Sequence, residues 1–232
     1  MDSMFDKLMG LSLFKGVSRE RMAKTVGECK FHFLKYAPGA VIFKAGEQCR
    51  DITFVLSGNV RIEISMPEGR FALRQSIGAG QAVSPEFLFG RITTYPGDVT
   101  AIDQVSMLRV AKCEYMRILA SDPIFLYNYA NLMSMNAQKA VEGVKAISNG
   151  DIDRRIALWI NALTQPRSFD IELSCEQGDM ATLFGVQPEA IRSALEAMNE
   201  AGLVDFTPQA IRVKDRKGLM SLLHDNDPEL AE

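Results

Sequence analysis

Residues 177–196, Gln-Gly-Asp-Met-Ala-Thr-Leu-Phe-Gly-Val-Gln-Pro-Glu-Ala-Ile-Arg-Ser-Ala-Leu-Glu, constrain the fold more than any other stretch, because they carry the spacing of two short helices joined by a tight turn. Ala181 is small where two helices must approach closely, Gly185 can take the positive φ such a turn requires, and Ile191 falls on the inner face of the second helix. Met180, Phe184, Val186 and Ala194 complete an inward apolar set, while Glu189, Arg192, Ser193 and Glu196 recur on the opposite face at helical spacing. Pro188 suits the first turn of the second helix, where its missing N–H is no loss. The spacing predicts a helix-turn-helix whose outer face, opening at Gln187, is shaped for a DNA major groove. An ordinary helical hairpin in a core is the plainer reading of the same offsets.

The chain beyond the motif favours the first reading. Leu195, Met198, Leu203 and Val204 continue the core, Gly202 ends the helix, and Val204-Asp-Phe with Ile211-Arg-Val flank a Thr207-Pro-Gln turn that predicts a β-hairpin. A helix-turn-helix followed by a hairpin is a winged helix. Arg212, Lys214, Arg216 and Lys217 crowd the wing and its exit, where phosphates would lie. Net charge opposes this: from residue 149 onward there are 8 Lys and Arg against 15 Asp and Glu, whereas residues 1–148 hold 18 against 14. Four of those acids, Asp225, Asp227, Glu229 and Glu232, fall in a C-terminal tail. A DNA-binding domain is expected to be basic, so binding must rest on a local basic stripe, doubled in a dimer and strongly salt-sensitive.

The first half has a different texture. From Phe33 to Val110 short apolar runs alternate with turn residues: Val41-Ile-Phe, Ile52-Thr-Phe-Val-Leu, Val60-Arg-Ile-Glu-Ile, Phe71-Ala-Leu and Val105-Ser-Met-Leu-Arg-Val, punctuated by Pro38-Gly39, Gly46, Gly58, Gly69, Gly78, Gly80 and Pro96-Gly97. Such spacing predicts a small antiparallel barrel or jelly roll. Leu8, Leu11, Leu13, Phe14, Met22, Val26 and Cys29 predict short N-terminal helices packed on it. Between the halves Leu126, Ala130, Met133, Ala137, Ala140, Val144 and Ile147 are spaced as an a/d heptad seam, predicting a helix over 124–148 that pairs with its twin about a two-fold axis. Packing of this helix on its own domain is the alternative. Ser148-Asn-Gly150 breaks it, and Asp151 can cap the next helix, Ile152 to Leu163. The expected fold is therefore α+β: a barrel domain with the dimer helix over 1–148, then a winged-helix domain over 149–232.

Composition, at 232 residues with 47% apolar and 24% charged, describes an ordinary globular protein of one or two domains. No run approaches the length of a membrane span, and the start lacks a basic region followed by an apolar one, so a cytoplasmic protein with no membrane partner is expected. Cys29, Cys49, Cys113 and Cys175 show no CxxC spacing, and no metal site is expected from them. A metal-dependent barrel enzyme needs several converging His and carboxylates, but His32 and His224 are the chain's two histidines. No Ser/His/Asp or Cys/His set can be assembled either, which excludes the common hydrolytic nucleophiles and leaves no catalytic residue to name.

Barrel, dimer helix and winged helix in this order resemble the Crp/Fnr family of bacterial transcription regulators over nearly the whole chain. Tyr36-Ala-Pro-Gly39, Val41-Ile-Phe43, Ala45-Gly-Glu47 and Asp51 through Leu56-Ser-Gly58 are similar to its strand-and-turn signature. The resemblance implies a sensor domain whose state reaches two DNA-reading helices through the dimer helix, a near-palindromic operator in double-stranded DNA, and RNA polymerase as a further partner.

Departures from the family pattern bear on the effector. The effector pocket implied by the resemblance falls on Ser84, Glu86, Tyr95, Ala140 and Val141. Glu86 matches the glutamate of cyclic-AMP-binding members, but Pro85 precedes it and removes an N–H, and Tyr95 stands where the phosphate-binding arginine is expected, with Arg91 out of register. Ala140 and Val141, at the positions that contact adenine, cannot hydrogen-bond a base. Cyclic AMP binding of the family's usual kind is therefore not expected, and no cofactor is identified; an N-terminal cysteine cluster for iron–sulfur sensing is missing from residues 1–30 apart from Cys29, and His32 is read as a packed or surface side chain rather than a haem ligand. In the recognition helix, the positions where the family commonly has Ser-Arg-Glu and a further Arg read Gln187-Pro188-Glu189 and Ser193, with Arg192 one residue out of register. The operator should differ from the usual consensus. A dimer that binds a ligand or a protein partner and no longer reads DNA is the alternative from another class.

Overall fold

The computed structural model describes residues 4–66, 69–148 and 150–223. His224 and the acidic tail lie outside the described residues. The chain divides into two compact units, residues 1–62 with 77–136, and residues 63–76 with 137–232. The hairpin stretch 63–76 and the last turns of the long helix thus group with the second unit, a partition different from a single break at 148/149.

The first unit opens with α1 (Met4–Met9), a 3-10 turn at Ser12–Phe14 and α2 (Arg19–Glu28), whose Ser18 side chain accepts from Arg21 N at its start. Its strands are β1 (His32–Tyr36), β2 (Val41–Phe43), β3 (Asp51–Ser57) and β4 (Val60–Ser65); β5 (Phe71–Ile77) follows, and then β6 (Asp98–Ala101) and β7 (Val105–Ala111). β7 lies between β1 and β3, antiparallel to both, with Leu108 opposite Phe33 and Phe54. β2 pairs with β6. Ile52, Phe54, Val55, Met107, Leu108 and Val110 are buried, so β3 and β7 are the apolar strands of a three-stranded antiparallel sheet in the order β1-β7-β3. The corner between β3 and β4 admits only glycine: Gly58 has φ 78°, and a Cβ there would sit 2.5 Å from Asp103 Oδ1 and from Gln104 O. The same Asp103 carboxylate accepts from Asn59 N at 2.8 Å and Nδ2 at 2.7 Å, so the turn and its neighbour lock together.

After α3 (Lys112–Ser121), α4 runs over Pro123–Val144 and tightens into a 3-10 turn at Lys145–Ile147, close to the expected 124–148. Its first turns are held in the first unit. Phe125 is fully buried and meets Phe14 edge to face at 5.9 Å, and Asn128 Nδ2 donates to Leu13 O and Lys15 O at 3.0 and 2.8 Å. Leu8, Leu11, Leu13, Phe14 and Met22 are buried, as expected for packed N-terminal helices.

The second unit holds α5 (Ile152–Leu163), β8 (Phe169–Cys175), α6 (Gln177–Phe184), α7 (Pro188–Glu200), β9 (Val204–Thr207), β10 (Ala210–Val213) and α8 (Arg216–Ser221). The wing hairpin β9–β10 stands where Val204-Asp-Phe and Ile211-Arg-Val place it. β8 is a strand that the sequence reading does not include; it sits between β10 and β5, with Leu173 opposite both Ile211 and Leu73. Asp151 begins α5 without a side-chain capping bond, contrary to expectation; its carbonyl instead accepts from Arg155 N at 3.0 Å. A continuous core joins Leu73, Ile156, Ile160, Ile171, Leu173, Met180, Ile191, Leu195, Val204, Ile211 and Leu219. The end of α4 crosses α5 closely, since a Cβ at Gly143 would lie 2.4 Å from Ala162 Cβ, and Lys139 Nζ donates to Thr164 O at the end of α5.

Arg155 is buried in this core. Its Nε donates to Ala146 O at 2.7 Å, its Nη2 donates to Phe184 O, and its guanidinium lies 4.9 Å from the Phe184 ring centroid. Replacing it with leucine strands two buried carbonyls, a loss of about 2 kcal/mol or more. Arg155→Leu should lower the midpoint of a circular-dichroism melt by about 4–8 °C, and an unchanged midpoint would show that the clamp carries no stability.

Candidate nucleic-acid interface

The helix-turn-helix forms where its spacing places it. Gly185 ends α6 in the left-handed region at φ 65°, its N–H donating to Thr182 O at 3.2 Å, and Val186 N donates to Ala181 O at 3.0 Å. Ala181, Met180 and Phe184 are buried, and α7 follows with Pro188 in its first turn. Ile191, Leu195 and Met198 of α7 are buried, which leaves Gln187, Glu189, Arg192, Ser193 and Glu196 together on the exposed face. That face carries one basic side chain, and it is partly engaged: Arg192 Nε lies 3.9 Å from Glu196 Oε1, one turn along.

The wing supplies further cations with partners of their own. Arg212 Nη2 donates to Asp170 Oδ1 at 3.1 Å, and Lys214 Nζ lies 3.2 Å from Asp205 Oδ1; both basic side chains remain exposed. Arg216 corrects the expectation of a phosphate contact. Its guanidinium turns inward and donates to Thr164 Oγ1 and Ser168 Oγ at 3.0 Å each and to Gln165 O at 3.2 Å, fastening α8 to the turn after α5. Burial lowers its pKa from the usual arginine value. Thr164 and Ser168 are themselves buried, and the long arginine satisfies both hydroxyls at once. Nothing in the sequence marks this pairing, which depends on the fold bringing α8 against residues 164–168.

The expected effector residues fall in different units. Ser84, Glu86 and Tyr95 belong to the first; Ala140 and Val141 belong to the second, where both are exposed on α4. Ser84 is buried in a left-handed conformation at φ 44° just ahead of a 3-10 turn at Pro85–Phe87, and Glu86 is exposed, accepting from Asn136 Nδ2 at 3.4 Å. Tyr95 is buried and stacks on Phe43, centroid to centroid at 4.0 Å. Burial drives its hydroxyl pKa up, with the neighbouring Cys49 thiol adding to the shift. On Phe43 also lies the guanidinium of Arg109, 4.5 Å from the ring centroid. Arg109 is a residue that the sequence does not single out, since an arginine inside the alternation of a strand gives no sign of the ring it will meet. Arg91 and His32 are exposed. Among the described residues no group of three or more His, Cys, Asp and Glu is disposed to hold a metal ion, and no helix is long and apolar enough to cross a membrane.

On α4, Leu126, Ala130, Ala137, Ala140, Val144 and Ile147 are exposed, and Met133 is partly so. Leu126 is 54% and Val144 62% exposed, an apolar row that a single chain leaves uncovered.

Residues 33–122 match the family model of the cyclic nucleotide-binding domain, and residues 154–222 match that of the Crp-like helix-turn-helix domain. The chain is 21% identical over 195 residues to the cAMP-activated global transcriptional regulator Vfr of Pseudomonas aeruginosa, covering 80% of this chain and 89% of that protein. It is 21% identical over 213 residues to the cyclic AMP receptor protein of Thermus thermophilus, covering 90% of this chain and 94% of the relative. In fold it is similar to the crystal structure of the Thermus thermophilus catabolite activator protein, with a TM-score of 0.50 at 19% identity over 91% of this chain and 97% of the other. A cyclic nucleotide-binding domain followed by a Crp-like helix-turn-helix, on an α+β fold with a long helix between them, places the chain in the Crp/Fnr family of DNA-binding transcription regulators.

Proposed function

We propose that the protein works as a cytoplasmic homodimer, joined along α4, that reads a near-palindromic operator with α7 and grips the flanking phosphates with its wing. Residues 1–148 act as sensor and 149–232 as DNA reader; the two family matches lie on either side of this boundary. The observation that carries the reading is the exposed outer face of α7, held out by the buried Ile191, Leu195 and Met198, together with the exposed Arg212 and Lys214 of the wing. Gln187, Glu189, Arg192, Ser193 and Glu196 meet base edges or nearby phosphates, and RNA polymerase is the further partner. The acidic balance of the second half supports one other reading, a dimer that binds a protein partner and leaves DNA alone.

Three measurements test this. Leu126→Glu and Val144→Asp change side chains already exposed on one chain, so they leave the protomer folded but bury unpaired charge if two helices meet there. The double variant should sediment as a monomer, and an unchanged dimer mass would remove the seam.

On this reading Glu189, in the first turn of α7, accepts from a cytosine N4 amine, whereas Lys214 on the wing touches backbone alone. In binding to an operator selected in vitro, Glu189→Ala should relax preference at one base pair per half-site at a cost of about 1–3 kcal/mol, and Lys214→Ala should weaken all sequences alike. A wild-type protein without sequence preference at low salt would favour the partner-binding reading.

Vfr is named as cAMP-activated; in this chain the family resemblance puts Tyr95, stacked on Phe43, where a phosphate-binding arginine is expected. Without that charge-assisted contact a cyclic phosphate loses its strongest interaction. Titration calorimetry with cyclic AMP should show no micromolar binding, and micromolar binding abolished by Glu86→Ala would overturn this.

A further inference from the structure

The outward face of the second unit's sheet carries charges in register. Arg74 of β5 stands opposite Glu172 of β8, Glu172 opposite Arg212 of β10, and Arg212 opposite Asp205 of β9, so the signs alternate across four strands. Contacts follow the row and its diagonals. Arg74 Nη1 lies 3.6 Å from Glu172 and its Nε 2.8 Å from Glu63; Arg212 lies 3.1 Å from Asp170, and Lys214 3.2 Å from Asp205. Each acid that meets a wing cation has a local constraint of its own. Asp170 sits at φ 47°, a conformation most side chains avoid, and Asp205 also accepts from Asn199 Nδ2 at 3.2 Å, in the last turn of α7.

We propose that Asp170 and Asp205 are internal counter-ions of the DNA interface, competing with phosphate for Arg212 and Lys214. This rests on the reading of α7 and the wing as the DNA-binding surface. A cation that enters a complex already paired neutralises phosphate only by giving up its carboxylate, and it leaves that carboxylate close to the polyanion. The wing's electrostatic grip, which is common to all sequences, is thereby held low. Affinity then rests on the base contacts of α7, in a unit where acids outnumber bases. Asp170 and Asp205 act through the cations they hold and are positioning residues, not DNA contacts themselves.

A double-mutant cycle isolates this coupling from the mere removal of a negative charge. Asp205→Asn keeps an acceptor for Asn199, and Asp170→Asn tolerates the left-handed conformation, so both variants retain the local fold; their melting midpoints verify it. In fluorescence anisotropy with a random-sequence duplex at low salt, Asp205→Asn should bind about three- to tenfold tighter, and log K against log salt should steepen by up to about 0.9, the slope of one whole phosphate contact. In a Lys214→Ala background the same substitution should leave affinity and slope unchanged. Asp170→Asn should behave likewise with and without Arg212→Ala. Equal gains in both backgrounds would mean that the acids act as diffuse charge, and no gain in either would mean that they do not compete with phosphate; each overturns the proposal. If the wild type binds DNA and the cycle shows no coupling, only the counter-ion role falls. If the wild type binds no duplex at all, the DNA reading itself has failed and this inference goes with it.

Discussion

The buried guanidinium of Arg155 organises the second unit. A charge taken out of water is tolerated only when its donors are satisfied, and the two carbonyls that satisfy these belong to segments far apart in sequence: Ala146 at the end of the long helix's 3-10 extension, and Phe184 at the end of α6. One side chain on α5 thus fixes where the chain leaves α4 and where the helix-turn-helix makes its turn. Gly185 follows Phe184 immediately, and its left-handed conformation sends Pro188 and α7 off at the angle that buries Ile191 and Leu195. The exposed face of α7 is a consequence of those two constraints rather than of any preference of its own polar residues for solvent.

Several parts of this arrangement are legible in the sequence because they follow from periodicity. The core set of the helix-turn-helix, the strands at Val41, Ile52, Val60, Phe71 and Val105, the wing, and α5 over Ile152–Leu163 all stand on the residues that their apolar spacing names. The heptad positions of α4 are exposed as a row for the same reason, since a 3.5-residue period puts them on one side of a helix whether or not a partner is present. β8 escaped although Phe169-Asp-Ile-Glu-Leu-Ser-Cys alternates strictly, because its lone apolar residues are short of the apolar runs that mark the other strands. Its pairing with β5, Leu173 opposite Leu73, joins segments that no local pattern connects.

Long polar side chains were the least legible part of the site. Lys214 and Arg216 are two residues apart and equally basic, yet one reaches solvent beside Asp205 and the other turns in to Thr164, Ser168 and Gln165. The difference lies in what each meets: buried hydroxyls need donors, and the arginine that begins α8 is within reach of them. The ion pairs of the wing depend likewise on strand register, and one residue of slippage would put Arg212 opposite an apolar neighbour. Charge counts taken along the chain cannot show such pairings.

The same reasoning applies inside the first unit. An arginine at Tyr95 would enter a site already supplied with cationic charge, since Arg109 lies over Phe43, the ring on which Tyr95 stacks. The aromatic pair spreads that guanidinium over a π-face instead of presenting it to an anion. Burial of the Tyr95 hydroxyl strongly disfavours the phenolate, with the Cys49 thiol adding to the shift, so it remains a neutral donor and not a charge. What packs this part of the first unit is therefore an aromatic pair beneath a guanidinium, Tyr95 on Phe43 and Arg109 over that same ring.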